Sequence, residues 1–270
     1  MSLPAWLEVT LLAIVQGLTE FLPVSSSGHL VLGNALLGVR EPGIALELVL
    51  HLGTLVAVVL YYRRDLARIL TGSIRWLGGR RGPEERHSGE MFLLLVLGTI
   101  PAVLAAVLLG DWLEATFENP RETSVELMIT GLILLATRLP RRGERRTTPA
   151  DALLIGLAQA VSILPGISRS GTTIATGLFR GIRPEEAARF SFLLSIPAIF
   201  GAVLFKAKDI ADRAEGGAAG LYLLGFLVSF ALGYASIAWL LRIVRRGRFF
   251  AFGIYCLIVG AVGLLALTAR

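Results

Sequence analysis

Apolar stretches of membrane-spanning length dominate this chain of 270 residues. They fall near 3–22, 24–38, 44–62, 91–109, 125–139, 151–164, 172–180, 190–205, 220–241 and 249–268. Several reach the roughly 17 residues that a spanning helix needs as a minimum. Hydrophobic residues make up 54% of the chain and charged residues only 17%, against about 25% charged in a typical soluble domain. Because a soluble fold of this size cannot bury so much apolar surface, the sequence predicts an all-α integral membrane protein.

Two of these stretches, 24–38 and 172–180, are too short to cross a membrane, and both follow breaks rich in proline, serine and glycine. Non-helical backbone at membrane depth is tolerated only where it is buried in protein or lines a cavity. We therefore expect both stretches to be the return arms of re-entrant hairpins. Three full transmembrane helices follow each hairpin in this interpretation.

The placement of arginine predicts the orientation in the membrane. The arginine-rich loops are 63–90, 138–146, 180–189 and 242–248, and they hold 19 of the 26 basic residues. The loops 110–124 and 206–219 are acidic or balanced in charge. The positive-inside rule places the first group in the cytoplasm and the second group outside. The net charge of +6 thus reflects membrane orientation, and no nucleic-acid partner is expected.

The two halves of the chain match each other at a constant spacing. With an offset of 143 residues, Gln16 falls on Gln159, Thr19 on Ser162, Ser25 on Ser168, Ser27 on Ser170 and Gly28 on Gly171. An offset of 144 aligns Leu60, Tyr61 and Asp65 with Leu204, Phe205 and Asp209. An odd number of crossings per repeat predicts inverted topology, with the functional site near the midplane. The expected architecture is one membrane domain, 1–270, with repeat one at about 1–140 and repeat two at about 150–270.

A polar stripe interrupts the first apolar stretch. Gln16, Thr19 and Glu20 stand at i, i+3 and i+4 and share one helix face. A carboxylate at membrane depth is costly unless it is paired or faces water, so it indicates a functional site. A hydrogen bond between packed helices is the alternative explanation.

A run of serines follows the break at Pro23. Ser25, Ser26 and Ser27 offer hydroxyls and free backbone N–H groups where the next helix begins, which makes an anion-binding site. Ser26 or a neighbour, close in sequence to His29, is a candidate nucleophile with its base. Small polar residues also cap helices, so this pattern alone leaves both explanations open.

The second break, Pro165 to Thr173, repeats this design and adds a cation. Arg169 lies between two apolar arms, whereas the other arginines lie in loops or at the terminus. A guanidinium offers a rigid fork for two phosphate oxygens. A charge-paired structural arginine is the alternative. Together, the two breaks predict a midplane site for an anionic phosphate ester.

Other ionisable residues are few. Glu47 and His51 share a helix face at i, i+4 and are expected to support the site rather than to react. His87 lies in an arginine-rich loop, where solvation is expected. The lone cysteine, Cys256, permits no intramolecular disulfide, and three scattered histidines do not form a histidine-rich zinc site.

The two polar segments, Gln16 to His29 and Pro165 to Thr173, resemble the two signatures of the undecaprenyl-diphosphate phosphatase family of the bacitracin-resistance type. The similarity extends to 47–53, 100–101 and 190–197. The resemblance implies a multi-pass enzyme of the bacterial inner membrane. Such an enzyme hydrolyses undecaprenyl diphosphate to undecaprenyl phosphate and inorganic phosphate, which recycles the lipid carrier of cell-wall synthesis and confers bacitracin resistance.

The resemblance also implies roles for individual residues. The expected catalytic residues are Glu20, Ser26, His29 and Arg169. The expected substrate-binding residues are Gln16, Ser25, Ser27, Ser168, Ser170 and Thr173. Members of the family depend on a divalent cation, Mg²⁺ or Ca²⁺, and Glu20 is the expected ligand. This chain has Gln16 where many relatives carry glutamate, so water and phosphate oxygens would complete the coordination.

Three questions stay open at this level. Ser26 could attack phosphorus with His29 as base or acid, or Glu20 could activate water directly.

Phosphatidic-acid-type lipid phosphatases share similar short elements, but they need a second histidine shortly after the arginine, and none follows Arg169. A polyprenyl-phosphate transporter or flippase is the alternative function, because inverted repeats with broken helices also build transporters. The oligomeric state, a homodimer included, is left open.

Overall fold

The computed structural model describes residues 4–37, 44–80, 82–116, 119–139, 143–211 and 219–268. The helices in these ranges are α1 (Ala5–Thr19), α2 (Ser26–Leu37), α3 (Ile44–Tyr61), α4 (Arg63–Leu77), α5 (Pro83–Thr116), α6 (Pro120–Ala136), α7 (Pro149–Val161), α8 (Arg169–Phe179), α9 (Pro184–Ala211), α10 (Ala219–Arg245) and α11 (Ala251–Thr268). Within the described ranges, extended backbone pairs only at an isolated parallel bridge between Arg145 and Ile182. The predicted all-α class is confirmed.

The helices also support the membrane assignment. Among the described residues, α5, α9, α10 and α11 are each long and apolar enough to cross a membrane. Helices α3 and α4 add a fifth span if they are counted together, although the chain bends by 71° between them. On length and composition, the described helices therefore match four or five of the six full spans expected from the sequence.

Four short helices occupy the two predicted hairpins. At 1.5 Å per residue, α2 and α8, with 12 and 11 residues, extend only about 18 and 17 Å. The hydrocarbon core of a bilayer is about 30 Å thick, so neither helix can cross it alone. Helices α1 and α7 precede them and are apolar but also shorter than a typical span.

The first arginine-rich segment is more ordered than the sequence interpretation proposed. Most of 63–90 was expected to be loop, but it forms α4 and the first turns of α5. Helix α4 exposes Leu70, Ile74 and Leu77 along one side, while most of its arginines lie on the opposite side. This pattern is typical of a helix that lies at a membrane surface. Positions 140–142 and 212–218 of the other predicted loops lie outside the described residues.

Helix packing places the hairpins at the centre of the molecule. Helix α1 packs on α10, α7 packs on α5, and α6 and α11 form the closest helix pair. Phe21 and Leu22, at the first turn, are buried in the main apolar core. The Phe21 ring meets the Phe192 ring edge to face, with 5.7 Å between centroids. The polar turns are therefore surrounded by protein.

A buried carboxylate fixes the start of α7. Asp151 is fully buried and accepts hydrogen bonds from Arg180 Nε at 2.7 Å and from Thr148 Oγ1 at 2.7 Å. Arg145 Nη2 lies 3.4 Å from the same carboxylate. Burial raises the pKa of the Asp151 carboxyl, but the bonds from Arg180 and Thr148 outweigh that effect and hold the pKa below its ordinary value. The second hairpin is thereby tied at its base to the segment after α8.

We expect Asp151→Asn to lower the free energy of unfolding near pH 7 by about 2 kcal/mol, because it removes charge-assisted hydrogen bonds. A carboxyl whose pKa is depressed by folding stabilises the protein above its ordinary pKa. This contribution is lost as the pH falls through the folded-state pKa, so the gap to wild type should close in acid. Thermal unfolding of both proteins in detergent, from pH 7 to pH 3, measures this difference in stability.

The matched control is Asp65→Asn. Asp65 forms a half-exposed ion pair with Arg189, at 2.6 Å, and such pairs contribute little. An Asp151→Asn protein as stable as wild type at pH 7 would contradict the stabilising role given to the Asp151 carboxylate.

Candidate active site

The two hairpin turns hold each other by a reciprocal pair of hydrogen bonds. Ser27 Oγ donates to the Pro165 carbonyl oxygen at 2.8 Å, and Ser170 Oγ donates to the Leu22 carbonyl oxygen at 3.1 Å. Ser170 lies 143 residues after Ser27, and Pro165 lies 143 residues after Leu22. The two bonds are therefore the same contact made once in each direction, in the register found in the sequence.

Each turn ends in a serine that caps the following helix. Ser168 Oγ accepts from the Gly171 N–H at 3.1 Å at the start of α8. Ser25 Oγ accepts from the Gly28 N–H at 3.2 Å at the start of α2. Ser25 has a φ of 62°, a left-handed conformation that non-glycine residues rarely adopt and that is commonest at functional sites. Two helix N-termini, which favour anions, thus begin at the junction of the hairpins.

Glu20 is the centre of the polar cluster. Its Oε2 accepts from Gln16 Nε2 at 2.8 Å and from Ser26 Oγ at 2.9 Å, and its Oε1 forms an ion pair with Arg169. His51 Nε2 lies 4.0 Å from Oε2. The sequence placed Glu20 and Arg169 in separate signatures 149 positions apart. The structure brings them into direct contact across the two hairpins.

Several buried polar atoms of this region lack a hydrogen-bond partner among the described residues. They include Arg169 Nη1, Gln16 Oε1 and both amide atoms of Gln159. Buried polar groups in native proteins are almost always paired, so unpaired ones call for an explanation. Arg169 can therefore bind Glu20 through one terminal nitrogen and offer the other to an anion, which suits a phosphate oxygen.

The Ser26 and His29 side chains form hydrogen bonds with different residues and not with each other among the described residues. The His29 Nδ1–H donates to the Ser25 carbonyl oxygen at 2.7 Å, since a carbonyl can only accept. Its Nε2 is then an acceptor and receives the Tyr255 hydroxyl at 2.7 Å. No hydrogen bond between Ser26 and His29 occurs among the described residues. The acceptor that the structure offers to the Ser26 hydroxyl is Glu20.

The remaining predicted binding hydroxyls have partners within the protein. Thr173 Oγ1 lies 2.7 Å from the Arg169 carbonyl oxygen and 2.6 Å from Ser191 Oγ. Ser168 and Ser170 make the cap and the reciprocal bond described above. These contacts fix the first turn of α8, which carries Arg169. Contact of these hydroxyls with a substrate stays a prediction.

The sequence interpretation missed two residues of α6 that support the second turn. Glu126 Oε2 accepts from the Gly166 N–H at 2.9 Å. Thr130 Oγ1 donates to the Gly166 carbonyl oxygen at 3.0 Å and accepts from the Ser168 N–H at 3.1 Å. The signal available was an acidic residue inside the apolar stretch 125–139. His51, expected to support the site, does approach Glu20.

Comparison with known proteins supports the family resemblance that the two polar segments, 16–29 and 165–173, indicated. The chain is 42% identical to the undecaprenyl-diphosphatase of Desulfatibacillum aliphaticivorans, over 97% of this chain and 98% of the relative. It is 41% identical to that of Alcanivorax borkumensis, over 94% and 96%. It is 41% identical to undecaprenyl-diphosphatase 3 of Frankia alni, over 98% and 95%. Since residues 9–262 also match the family described as Bacitracin resistance protein BacA, the chain belongs to the BacA family.

Proposed function

We propose that this protein is an integral membrane phosphatase that hydrolyses undecaprenyl diphosphate to undecaprenyl phosphate and inorganic phosphate. The observation that carries the proposal is Arg169, which is half-buried at the N-terminus of α8 and bound to Glu20, and whose Nη1 has no hydrogen-bond partner among the described residues. Full-length similarity to curated undecaprenyl-diphosphatases supports this substrate. The product would return a lipid carrier to cell-wall synthesis.

In this proposal the substrate lies with its diphosphate at the junction of the hairpins and its prenyl chain among the membrane lipids. Arg169 Nη1 donates to an oxygen of the terminal phosphate while Nη2 stays with Glu20. The N-termini of α2 and α8 add partial positive charge. Phosphoryl transfer depends mainly on positioning and on charge neutralisation, so these groups would supply much of the rate.

The nucleophile in this mechanism is Ser26. Its Oγ attacks the terminal phosphorus, its proton passes to the Glu20 carboxylate, and the bond from that phosphorus to the bridging oxygen breaks. Undecaprenyl phosphate leaves, and Ser26 carries the phosphoryl group. Water then forms a bond to phosphorus as the bond to Ser26 Oγ breaks. Ser26 regains a proton from Glu20, and the proton that the water loses passes through His29 to solvent. The hydrogen bond from Ser26 to Glu20, at 2.9 Å, supports this assignment.

The donor set at the site fits a hard divalent cation. Glu20 offers carboxylate oxygens, and Gln16 Oε1 is buried without a hydrogen-bond partner among the described residues. Magnesium and calcium prefer oxygen ligands, and magnesium keeps several waters, so two protein ligands suffice. We propose that Glu20 and Gln16 hold Mg²⁺ or Ca²⁺. When bound, the ion would neutralise charge on the phosphate oxygens.

We also propose the finer architecture, in which two inverted repeats each contain a re-entrant hairpin and three transmembrane helices. The reciprocal bonds between the turns support this arrangement. So does the helix packing, because α1 lies on α10 of the other half as α7 lies on α5. The arginine-rich segments would face the cytoplasm in the inner membrane of a bacterium.

The test is inorganic phosphate release from a long-chain prenyl diphosphate by protein purified in detergent, with Mg²⁺, with Ca²⁺ and with a chelator. We expect release that needs the cation. Absence of release from well-folded wild-type protein with both cations would refute the phosphatase. A lipid-phosphate transporter would then be tested in liposomes.

Ser26→Ala separates the two chemical routes. We expect it to lower kcat by roughly 100-fold or more, because a covalent route cannot proceed without its nucleophile. Ser195→Ala is the control, since the buried Ser195 hydroxyl bonds only to Phe192 of its own helix among the described residues. If Ser26→Ala kept substantial turnover, water activated by Glu20 would be the nucleophile.

A further inference from the structure

We propose that Tyr255 is a positioning residue that orients His29 for proton transfer, an inference that rests on the proposed phosphatase reaction. The two residues lie 226 positions apart and meet through a hydrogen bond of 2.7 Å between His29 Nε2 and the Tyr255 hydroxyl. Their rings also stack, with centroids 5.6 Å apart and planes within 4° of parallel. Two independent contacts thus fix one imidazole.

The contacts of His29 determine which ring nitrogen can accept a proton. The Ser25 carbonyl oxygen accepts from Nδ1–H, so Nδ1 keeps its proton and Nε2 carries the lone pair. The Tyr255 hydroxyl donates to that lone pair and thereby selects the same tautomer. A histidine fixed in this way can accept a proton only at Nε2.

The position of His29 relates this atom to the reaction. His29 and Ser26 stand at i, i+3 near the start of α2, a spacing that puts two side chains on neighbouring positions of one helix face. In the second half of the reaction, water bonds to phosphorus and the bond to Ser26 Oγ breaks. The proton of that water passes to His29 Nε2 in exchange for the Tyr255 hydroxyl, while Glu20 returns a proton to Ser26. The His29 imidazolium then releases the proton to solvent, and the Tyr255 hydroxyl donates to Nε2 again.

Tyr255 itself is held in place by the residues around it. Its neighbour Cys256 is fully buried and donates through sulfur to the Pro23 carbonyl oxygen at 3.5 Å. Helix α11 therefore contacts the first turn at two successive residues. Helix α6 contacts the second turn in a comparable way, through Glu126 and Thr130. The packing of α11 thus fixes the position of Tyr255 beside the first hairpin, and 44% of Tyr255 is exposed.

The test is Tyr255→Phe, which keeps the stacked ring and removes the hydroxyl. We expect kcat for phosphate release to fall roughly 10- to 100-fold, the range for a misplaced catalytic group, with KM within about twofold because Tyr255 acts after binding. Thermal unfolding in detergent should be unchanged. Tyr234→Phe is the control, since Tyr234 has similar exposure, 37%, and its ring packs at a tilted angle against Tyr61 instead.

A double-mutant cycle distinguishes positioning from a structural effect. If Tyr255 acts through His29, Tyr255→Phe should cause no further loss in a His29→Ala protein. Additive losses, or a Tyr255→Phe protein as active as wild type, would overturn the inference alone. Inactive wild-type protein in the same assay would overturn the proposed function and this inference together.

Discussion

Arg169→Ala should lower kcat/KM for phosphate release by roughly 1,000-fold or more, the range found when an arginine that stabilises a transferring phosphoryl group is removed. Two effects add in this variant. The phosphate loses the donor at Nη1, and Glu20, a buried side chain, loses its ion pair. Glu20 would then be neutralised by protonation, since an unpaired buried charge is costly. A protonated Glu20 cannot accept the Ser26 proton.

Arg169→Lys separates these effects. Lysine keeps the positive charge but places a single ammonium where the guanidinium reaches two partners. We expect it to bind either Glu20 or phosphate, so activity should lie between alanine and wild type. Arg121→Ala is the control, because Arg121 is exposed and its side chain bonds to the Leu267 carbonyl oxygen on α11 rather than to a residue of either hairpin turn. An Arg169→Ala protein that retains a tenth of wild-type turnover would exclude Arg169 from the mechanism.

The second large effect is expected at the contact of α6 and α11. A Cβ atom added to Gly253 would lie 2.6 Å from the Gly131 carbonyl oxygen and 2.9 Å from the Leu135 backbone nitrogen. A Cβ atom at Gly131 would meet the Gly253 carbonyl oxygen at 2.8 Å. Backbone atoms cannot move aside as flexible side chains do. Small residues are what allows membrane helices to approach so closely.

We therefore expect Gly253→Val to reduce the free energy of unfolding by about 3 kcal/mol or more, through overpacking. Because α6 and α11 hold the two turns, activity should fall with stability. Gly201→Val on α9 is the matched control, since nothing lies within 4 Å of its Cβ position. The measurement is thermal unfolding of both variants in detergent. Equal stability of the two would show that the helices do not rely on this contact.

The site could be predicted from the sequence where its residues lie in local motifs. Gln16, Glu20, Ser26 and Arg169 belong to two short segments, and an acid and a base at membrane depth must find partners. The lengths of α2 and α8 followed from the breaks before them. Contacts between segments that are distant in sequence do not produce a local motif, so they could not be predicted in this way. The bond of His29 to Tyr255 depends on how α11 packs, and half-exposed tyrosines are common in apolar helices.

Helix α4 was missed for a different reason. Its arginines were treated as evidence of a loop, although charge placement predicts only on which side of a membrane a segment lies. The spacing of Leu66, Leu70, Ile74 and Leu77 has the period of an amphipathic helix. That spacing was sufficient to predict α4. The orientation argument does not depend on whether the segment is coiled or helical.

In each of the reciprocal bonds between the turns, the donor residue and the acceptor residue differ in their tolerance of mutation. The donors are hydroxyls of Ser27 and Ser170, whereas the acceptors are main-chain carbonyls of Pro165 and Leu22. No substitution at Leu22 can delete its carbonyl group, so drift in that side chain leaves the contact intact. Loss of either hydroxyl removes a bond at once. If the halves arose by duplication, both copies would have to keep their serine, while the residues facing those serines were free to diverge.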